Sequence, residues 1–310
     1  MNMVEFLSTH TYRMVFFGTM TIGLVSGALG SFAYLRKQSL VSDVISHSAL
    51  PGALCAFLVA VLIGADGRNM VTLIFGAAIT GTCAVLLANG ISRRSKIRID
   101  TAMAICLTLF FGAGMLLLRV ITNGAFPGKG GIQDYLFGNA SVMTIADLSA
   151  SVFVGAAALF VMILLWKEFA LHTFDSDHSA VLGFQPRIID AAMFSTLAIS
   201  IVIGAKAVGL VLMVAFVVTP AAAARQWTHS LPGMVALSAA IGGVASGIGT
   251  YLSIAMGTIP TGPLIVLTLS AVFLFSLLAS PRRSIIMRYL RRHKARKELL
   301  RNLSAKGVGA

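Results

Sequence analysis

The run MVFFGTMTIGLVSGALGSFAYL, residues 14–35, is followed at once by Arg36 and Lys37. It contains no charged side chain, and about twenty apolar residues suffice for an α-helix to cross the hydrocarbon core of a bilayer. The same character extends along the whole chain of 310 residues, which is 57% hydrophobic and 11% charged, with a mean hydropathy of +0.89. Soluble domains are about 25% charged. The chain is therefore an integral membrane protein.

Eight further apolar runs of spanning length follow the first one, which gives nine spans. They are residues 40–64, 70–91, 101–121, 146–166, 191–205, 208–224, 231–254 and 262–279. Eight spans is the alternative count, because the two runs beside Lys206 are short and residues 135–139 are a candidate re-entrant segment. The pattern predicts an all-α polytopic membrane helix bundle of eight or nine transmembrane helices. We expect one transmembrane domain, residues 1–281, and a basic tail, residues 282–310.

The distribution of lysine and arginine predicts the orientation, since cytoplasmic loops carry an excess of both. If Arg36 and Lys37 lie inside, alternation also puts residues 93–98, residues 167–187, Arg225 and the basic C-terminal tail inside. That side then holds 19 of the 24 basic residues. We therefore expect the N-terminus outside and the C-terminus inside, at the cytoplasmic (inner) membrane.

Several functional classes are disfavoured by the sequence. The net charge of +13 is concentrated in short loops and in the tail, as expected for membrane topology rather than for nucleic-acid binding. No P-loop, HExxH or CxxC motif is present, so ATP hydrolysis would require a separate polypeptide. We expect the three cysteines, Cys55, Cys83 and Cys106, to be buried as small apolar residues.

The run SDVISHSALPG, residues 42–52, contains the best candidate functional pair. Asp43 and His47 are four residues apart, which places a carboxylate and an imidazole on one face of a helix. Ionisable groups inside a membrane are costly and usually functional, and these two donors suit a divalent transition metal. Pro51 and Gly52 loosen the helix, so that backbone carbonyls can line a path.

Asp43, His47 and the other histidines also have interpretations that involve no metal ion. Asp43 could complement the dipole at the start of a helix, and a neighbouring helix could satisfy His47. The remaining histidines are expected to be solvated, in loops or near the termini: His10, His172, His178, His229 and His293.

The longest polar segment between spans, residues 167–190, mixes charged residues with Phe169, Leu171 and Phe174. A solvated loop is one interpretation. A docking helix for a cytoplasmic partner is the other, because a simple connection would need neither this length nor these apolar residues.

Three stretches resemble one family, the membrane permease subunits of bacterial ABC importers for manganese, zinc or iron. Residues 42–52 are similar to the family motif Asp-x-x-x-His-Ala-x-x-Pro-Gly, with Ser48 where alanine is common. Phe174 and Asp175, with Ala180 and Gly183, are similar to its cytoplasmic segment. The third resemblance is residues 208–225, with TPAAAAR at their end, followed later by residues 260–263.

The resemblance implies a dimeric pathway made by two permease copies or by this chain and a paralogue. It further implies a cytoplasmic ABC ATPase that hydrolyses ATP and an extracytoplasmic metal-binding protein. Asp43 and His47 would be the intramembrane metal ligands, and Phe174, Asp175, Ala180 and Gly183 would belong to the segment coupled to the ATPase. The transported ion would be Mn²⁺ first, then Zn²⁺ or Fe²⁺, because no thiol accompanies the pair. The chain itself would be a transport subunit and not an enzyme.

Two alternatives remain open at this point. A secondary metal or proton-coupled transporter would use Asp43 and His47 as a relay and would need no ATPase. A membrane-embedded enzyme would need a second buried cluster of acids or bases, which the apolar runs do not offer.

Overall fold

The computed structural model describes residues 9–280 except 39, 66, 68, 125, 128–143 and 258. Within that part of the chain, the regular secondary structure is entirely helical. The helices are α1 (His10–Leu35), α2 (Val41–Leu62), α3 (Met70–Arg94), α4 (Ile99–Asn123), α5 (Ile145–Leu164), α6 (Trp166–Phe174), α7 (Ser176–Val181), α8 (Pro186–Val208), α9 (Leu210–Trp227), α10 (Leu231–Met256) and α11 (Thr261–Ala279). The predicted all-α bundle is confirmed. The candidate re-entrant residues 135–139 and the tail lie outside the described residues.

Eight of the helices described are long and apolar enough to cross a membrane: α1 to α5, α8, α10 and α11. They correspond to eight of the nine predicted spans. The remaining predicted span, residues 208–224, corresponds to α9, which has 18 residues. Gly209 separates α8 from α9 with a φ of 96°, a backbone conformation that is accessible mainly to glycine.

The helices form two groups that share α8 and α9. In the first group, α1 packs against α10, α9, α5 and α8, and 72% of its most apolar window is buried. In the second group, α2 packs against α3 and α4. Helix α8 contacts α1, α2, α3 and α5, and α9 contacts both α1 and α2. Helix α2 is therefore held on several sides.

Close backbone approach explains why the seam between α1 and α10 is rich in small residues. A Cβ atom on Gly23 would clash with the carbonyl oxygen of Gly242, and one on Gly242 would clash with the carbonyl oxygen of Gly23. Two hydrogen bonds join the same helices. The hydroxyls of Thr19 and Thr250 lie 2.7 Å apart, and Ser238 Oγ donates to the Gly27 carbonyl over 2.6 Å. Lipid tails are as apolar as the helix surfaces, so the hydrophobic effect does not bring two membrane helices together. Close packing and hydrogen bonds of this kind do so instead.

Two sequence interpretations were wrong in detail. Residues 167–190 are not a solvated loop, because they form α6, α7 and the beginning of α8. Of the cysteines, Cys106 is buried as expected, but Cys55 and Cys83 are exposed on outward helix faces. In a membrane protein an outward face meets lipid, so an apolar run does not reveal which of its residues are buried.

Candidate metal site

The first two turns of α2 carry Asp43 and His47. Both side chains are partly exposed, whereas their neighbours Val44 and Ile45 are fully buried. The predicted pair is thus on one helix face, as the four-residue spacing requires. No ion pair among the described residues involves Asp43. The carboxylate therefore keeps its capacity to accept a cation.

Serine hydroxyls surround this pair on the same helix. Ser42, Ser46 and Ser48 are completely buried, and their Oγ atoms have no hydrogen-bond partner in the structure. At about 100° of rotation per residue, Ser42, Ser46, Asp43 and His47 cover roughly 140° of the helix surface, while Ser48 lies outside that arc. Buried polar groups without partners are uncommon. Their concentration here indicates a segment that is adapted to a polar ligand.

The imidazole of His47 is held by an aromatic neighbour on α4. Its ring meets the Phe111 ring edge to face, with centroids 5.0 Å apart and an interplanar angle of 81°. Its Nδ1 atom is buried and has no hydrogen-bond partner. Phe111 therefore restricts the orientation of the ring while leaving a nitrogen lone pair or N–H uncommitted. Sequence spacing alone could not identify this contact, because the two residues belong to different spans.

Pro51 interrupts the hydrogen bonds of α2 beside the pair. A proline in the helix interior lacks the N–H that would otherwise donate to the carbonyl four residues earlier, here that of His47. Close packing keeps the helix in place at this point. A Cβ on Gly52 would clash with the Gly76 carbonyl on α3, and one on Gly114 of α4 would lie 3.0 Å from Pro51 Cδ. The site is therefore on a firmly packed helix with one carbonyl lacking its usual donor.

The described part of this chain does not assemble a complete metal centre. No group of three or more His, Cys, Asp or Glu side chains in it could hold a metal ion. The pair can supply two protein ligands, and the hydroxyls and the His47 carbonyl are further oxygen donors nearby on α2. Additional ligands would have to come from water or from a second chain, which fits transient rather than permanent binding.

The predicted coupling segment forms two short consecutive helices, α6 and α7. Phe174 ends α6 and is 65% exposed. The side chain of Asp175 caps α7 by accepting a hydrogen bond from the His178 backbone N–H at 2.8 Å. Gly183 ends the unit with a φ of 87°, and Ala180 is exposed. Each of the four predicted residues therefore has a structural role or an exposed surface in this segment.

Behind this segment lies an ionic cluster that sequence reasoning missed. Asp190, near the start of α8, is 2% exposed and makes an ion pair with Arg36 at the end of α1. Its carboxylate also lies 3.2 Å from Arg93 of α3 and 2.9 Å from Nε2 of His172 on α6. The expectation that His172 is solvated was wrong, since its side chain is completely buried. Arg36 and Asp190 are 154 residues apart, so no local pattern could reveal the cluster.

Comparison with known proteins agrees with this architecture. The sequence profile of the ABC 3 transport family matches residues 8–280. The zinc transport system membrane protein TroC of Treponema pallidum is 36% identical over 292 residues, which are 94% of this chain and 96% of TroC. The manganese transport system membrane protein MntC of Bacillus subtilis is also 36% identical, over 93% of this chain but 65% of its own length.

A solved structure shares the fold as well. The chain superimposes on PsaBC from Streptococcus pneumoniae, determined in complex with Fab, with a TM-score of 0.78 and 28% identity. The match covers 94% of this chain and 100% of that one. The resemblance inferred from residues 42–52, 174–183 and 208–225 is thereby confirmed. The chain is a multi-pass membrane permease that belongs to the ABC 3 transport family.

Proposed function

We propose that this chain forms the membrane pathway of an ATP-driven importer of divalent transition-metal ions, with Asp43 and His47 as the intramembrane ligands. The observation that carries the proposal is the polar surface on α2. A carboxylate, an imidazole and the unpartnered buried hydroxyls of Ser42 and Ser46 share one side of the first two turns of α2. The names of two relatives, a zinc and a manganese transport protein, support the class of cargo.

Manganese is the first choice of cargo, followed by zinc or iron. The donors on α2 are a carboxylate, hydroxyls, a carbonyl and one imidazole, and oxygen donors suit Mn²⁺ better than softer ions. None of the three cysteines lies in the first two turns of α2. Selectivity for manganese over zinc cannot come from affinity alone, because divalent affinities rise from manganese to zinc. An incomplete ligand set that allows rapid release is consistent with this requirement.

The ligand set of one chain is small, which supports a pathway shared by two permease subunits. A second copy or a paralogue would contribute its own pair around the same path, and the ion would lose part of its water shell to four protein side chains. An extracytoplasmic binding protein would deliver the ion from the side opposite Arg36. Repeated ATP-driven closure of the ATPase subunits would then release the ion to the inner side.

The first experiment is metal accumulation by cells that express the complete transport system, with Mn²⁺, Zn²⁺ and Fe²⁺ supplied at low concentration. We expect Asp43→Ala and His47→Ala each to reduce uptake by about tenfold or more, the loss that corresponds to roughly 1.4 kcal/mol of ligand binding. Ser48→Ala is the matched control, because it removes a buried hydroxyl from the same helix but outside the polar arc. Normal uptake by both site variants would refute the ligand assignment.

The energy source is tested with the same cells. Uptake that persists after ATP depletion and collapses with the ion gradient would identify a secondary transporter and overturn the ATP-driven proposal. Loss of uptake on inactivation of the partner ATPase, with the gradient intact, is the expected result.

Docking of the ATPase is assigned to the α6–α7 segment. Its exposed apolar surface includes Phe174, Val181 and Leu182, which are 56% to 83% exposed. We expect Phe174→Ser to abolish co-purification of the ATPase without unfolding the permease, since this side chain is largely outside the core. Trp227→Ser is the control, because Trp227 is another exposed aromatic residue, 42% exposed, at the end of α9. Equal loss of ATPase in both variants would mean that α6–α7 is not the specific contact.

A further inference from the structure

A cavity opens where the end of α3 meets the beginning of α8. Its volume is about 760 Å³. Four charged side chains line it: Arg93, Arg94, Arg187 and Asp190. The carboxylate of Asp190 is already engaged by Arg36, Arg93 and His172. The negative charge in the cavity is therefore neutralised from within the protein.

The remaining arginines leave the cavity positively charged. Arg94 and Arg187 are exposed, and neither makes an ion pair with another described residue. Both belong to helix ends at the same face of the bundle, one at the end of α3 and one in the first turn of α8. Two unpaired guanidinium groups beside a neutralised carboxylate favour an anion, and arginine binds phosphate through paired N–H groups.

A buried hydrogen-bond donor points to the same kind of ligand. Asn89 lines the cavity from α3 and is 9% exposed. Its Nδ2 atom is buried and has no hydrogen-bond partner. A buried donor without an acceptor is unfavourable. The cavity therefore combines fixed positive charge with an unsatisfied N–H donor, and it holds no acceptor for that donor among the described groups.

The outer wall of the cavity is apolar and continues along an exposed side of α3. Phe75, Ile79, Cys83 and Leu87 follow at four-residue intervals and are all exposed. Gly90 and Arg94 continue the same helix face into the cavity. An acyl chain lying along this stripe would have its headgroup at the level of Arg94.

We propose that the cavity binds the phosphate headgroup of one anionic phospholipid, with its acyl chains along the exposed stripe of α3. Arg94 and Arg187 hold the phosphate oxygens, and Asn89 donates a hydrogen bond to the headgroup. Basic pockets between transmembrane helices are suited to anionic headgroups. A free phosphate would use the arginines equally well but would leave the apolar stripe without a role. The proposal goes beyond metal transport and does not depend on it.

The test uses the full chain, extracted in mild detergent with phosphatidylglycerol or phosphatidylcholine and examined by native mass spectrometry. We expect one retained phosphatidylglycerol and no comparable retention of phosphatidylcholine. The double variant Arg94→Gln/Arg187→Gln should reduce retention by about tenfold or more, since each basic side chain contributes to attraction of anionic lipid. Both arginines are exposed, so this variant should remain folded.

The matched control is Lys96→Gln/Arg98→Gln, which removes the same charge from exposed residues just beyond α3 that do not line the cavity. It should retain the lipid as the wild type does. Equal loss in the two double variants would show diffuse surface attraction and overturn the site. Equal retention of phosphatidylcholine would do the same, and so would displacement of the lipid by millimolar inorganic phosphate, because the ligand would then come from solution.

Discussion

At the scale of single residues, Pro51 connects the candidate ligands with the backbone. It lies four residues after His47, so α2 offers no N–H to the His47 carbonyl. Within a membrane such a carbonyl is satisfied only by protein groups, water or an ion. The carbonyl oxygen belongs to the same residue as the imidazole and adds a hard donor next to it. The proline therefore has a chemical consequence beyond its effect on helix shape.

This argument gives a prediction for Pro51→Ala. The substitution restores the missing hydrogen bond and should raise thermal stability, since an interior proline costs a helix about 3 kcal/mol or more. At the same time the apparent KM for metal uptake should rise, because the His47 carbonyl is no longer available to the ion. Thermal stability can be measured on the purified protein, and the apparent KM for metal uptake can be measured in cells.

Pro220→Ala is the control for this experiment, because Pro220 is the interior proline of α9. The restored hydrogen bond there belongs to the Phe216 carbonyl, on a different helix from the pair. A similar rise in KM for both variants would indicate a general need for helix flexibility and would contradict a role for the His47 carbonyl.

The sequence predicts contacts at this scale when both partners lie within one or two helical turns. Asp43 and His47 could be recognised because a single helix brings them together. Phe111 against His47, and Asp190 between Arg36, Arg93 and His172, join different spans, so their identification needs the tertiary packing. His172 is the clearest example. Its position in a polar segment predicts a solvated side chain, and only the tertiary structure shows its buried contact with Asp190.

At the scale of helices, the seam between α1 and α10 depends on the absence of side chains. Gly23 and Gly242 allow backbone contact, and the hydroxyl pair Thr19 and Thr250 adds a hydrogen bond at 2.7 Å. Because α1 is the most buried of the spanning helices, distortion of this seam should affect the entire bundle.

We therefore predict that Gly242→Val destabilises the protein. The added side chain would meet the Gly23 carbonyl, and overpacking of this kind costs about 1–3 kcal/mol in well-packed cores. Gly112→Ala is the matched control, because a Cβ at Gly112 of α4 meets no atom within 4 Å. Thermal unfolding in detergent should show a lower midpoint for Gly242→Val and an unchanged or higher one for Gly112→Ala. Equal midpoints would contradict the importance of the seam.

Helix boundaries were predictable where punctuation residues mark them. Arg36 and Lys37 follow α1 as predicted, whereas α8 begins at Pro186 and α10 ends at Met256, beyond the apolar runs 191–205 and 231–254. A helix within residues 167–190 was one of the two open interpretations, but its division into two short helices was not predicted. Helices α6 and α7 have nine and six residues, and their polar composition resembles that of a loop. They are helical because their buried residues, such as Phe169, pack on the bundle.

At the scale of the whole molecule, contacts join the helix ends that the lysine and arginine distribution assigns to one side of the membrane. Asp190 brings together the ends of α1 and α3, the helix α6 and the start of α8. Ser280 Oγ donates to the Gln226 carbonyl over 2.7 Å, which joins the ends of α9 and α11. Ala224 and Leu35 belong to one apolar cluster, so these ends lie on the same face as the Asp190 cluster. Every segment of this group was predicted to lie inside.

The orientation itself remains a prediction that cysteine labelling can test. Ala65 follows α2 and Ser176 begins α7, and both residues are exposed. The alternation of the spanning helices predicts that they lie on opposite sides of the membrane. In a variant without the three native cysteines, a membrane-impermeant thiol reagent should label Ala65→Cys in intact cells. It should label Ser176→Cys only after permeabilisation. The reverse pattern would invert the topology and with it the proposed side of ATPase docking.

The Asp190 cluster links the α6–α7 segment, where we propose that the ATPase docks, with three spanning helices. Removal of one partner from a buried ion pair costs about 3–5 kcal/mol, whereas replacement of both by apolar residues is often tolerated. We therefore predict that Asp190→Leu and Arg36→Met are each strongly destabilising and that the double variant is more stable than either. Thermal unfolding of the four proteins gives the coupling energy.

The same double variant separates stability from coupling. It should retain the fold and bind the ATPase through Phe174, yet it lacks the carboxylate that joins His172 to α1 and α3. We expect ATP hydrolysis to continue with metal uptake reduced. Arg93→Gln is the control, because Arg93 is 50% exposed and its loss should have little effect on either quantity. Additive destabilisation in the cycle, or normal uptake by the double variant, would limit Asp190 to a role in packing.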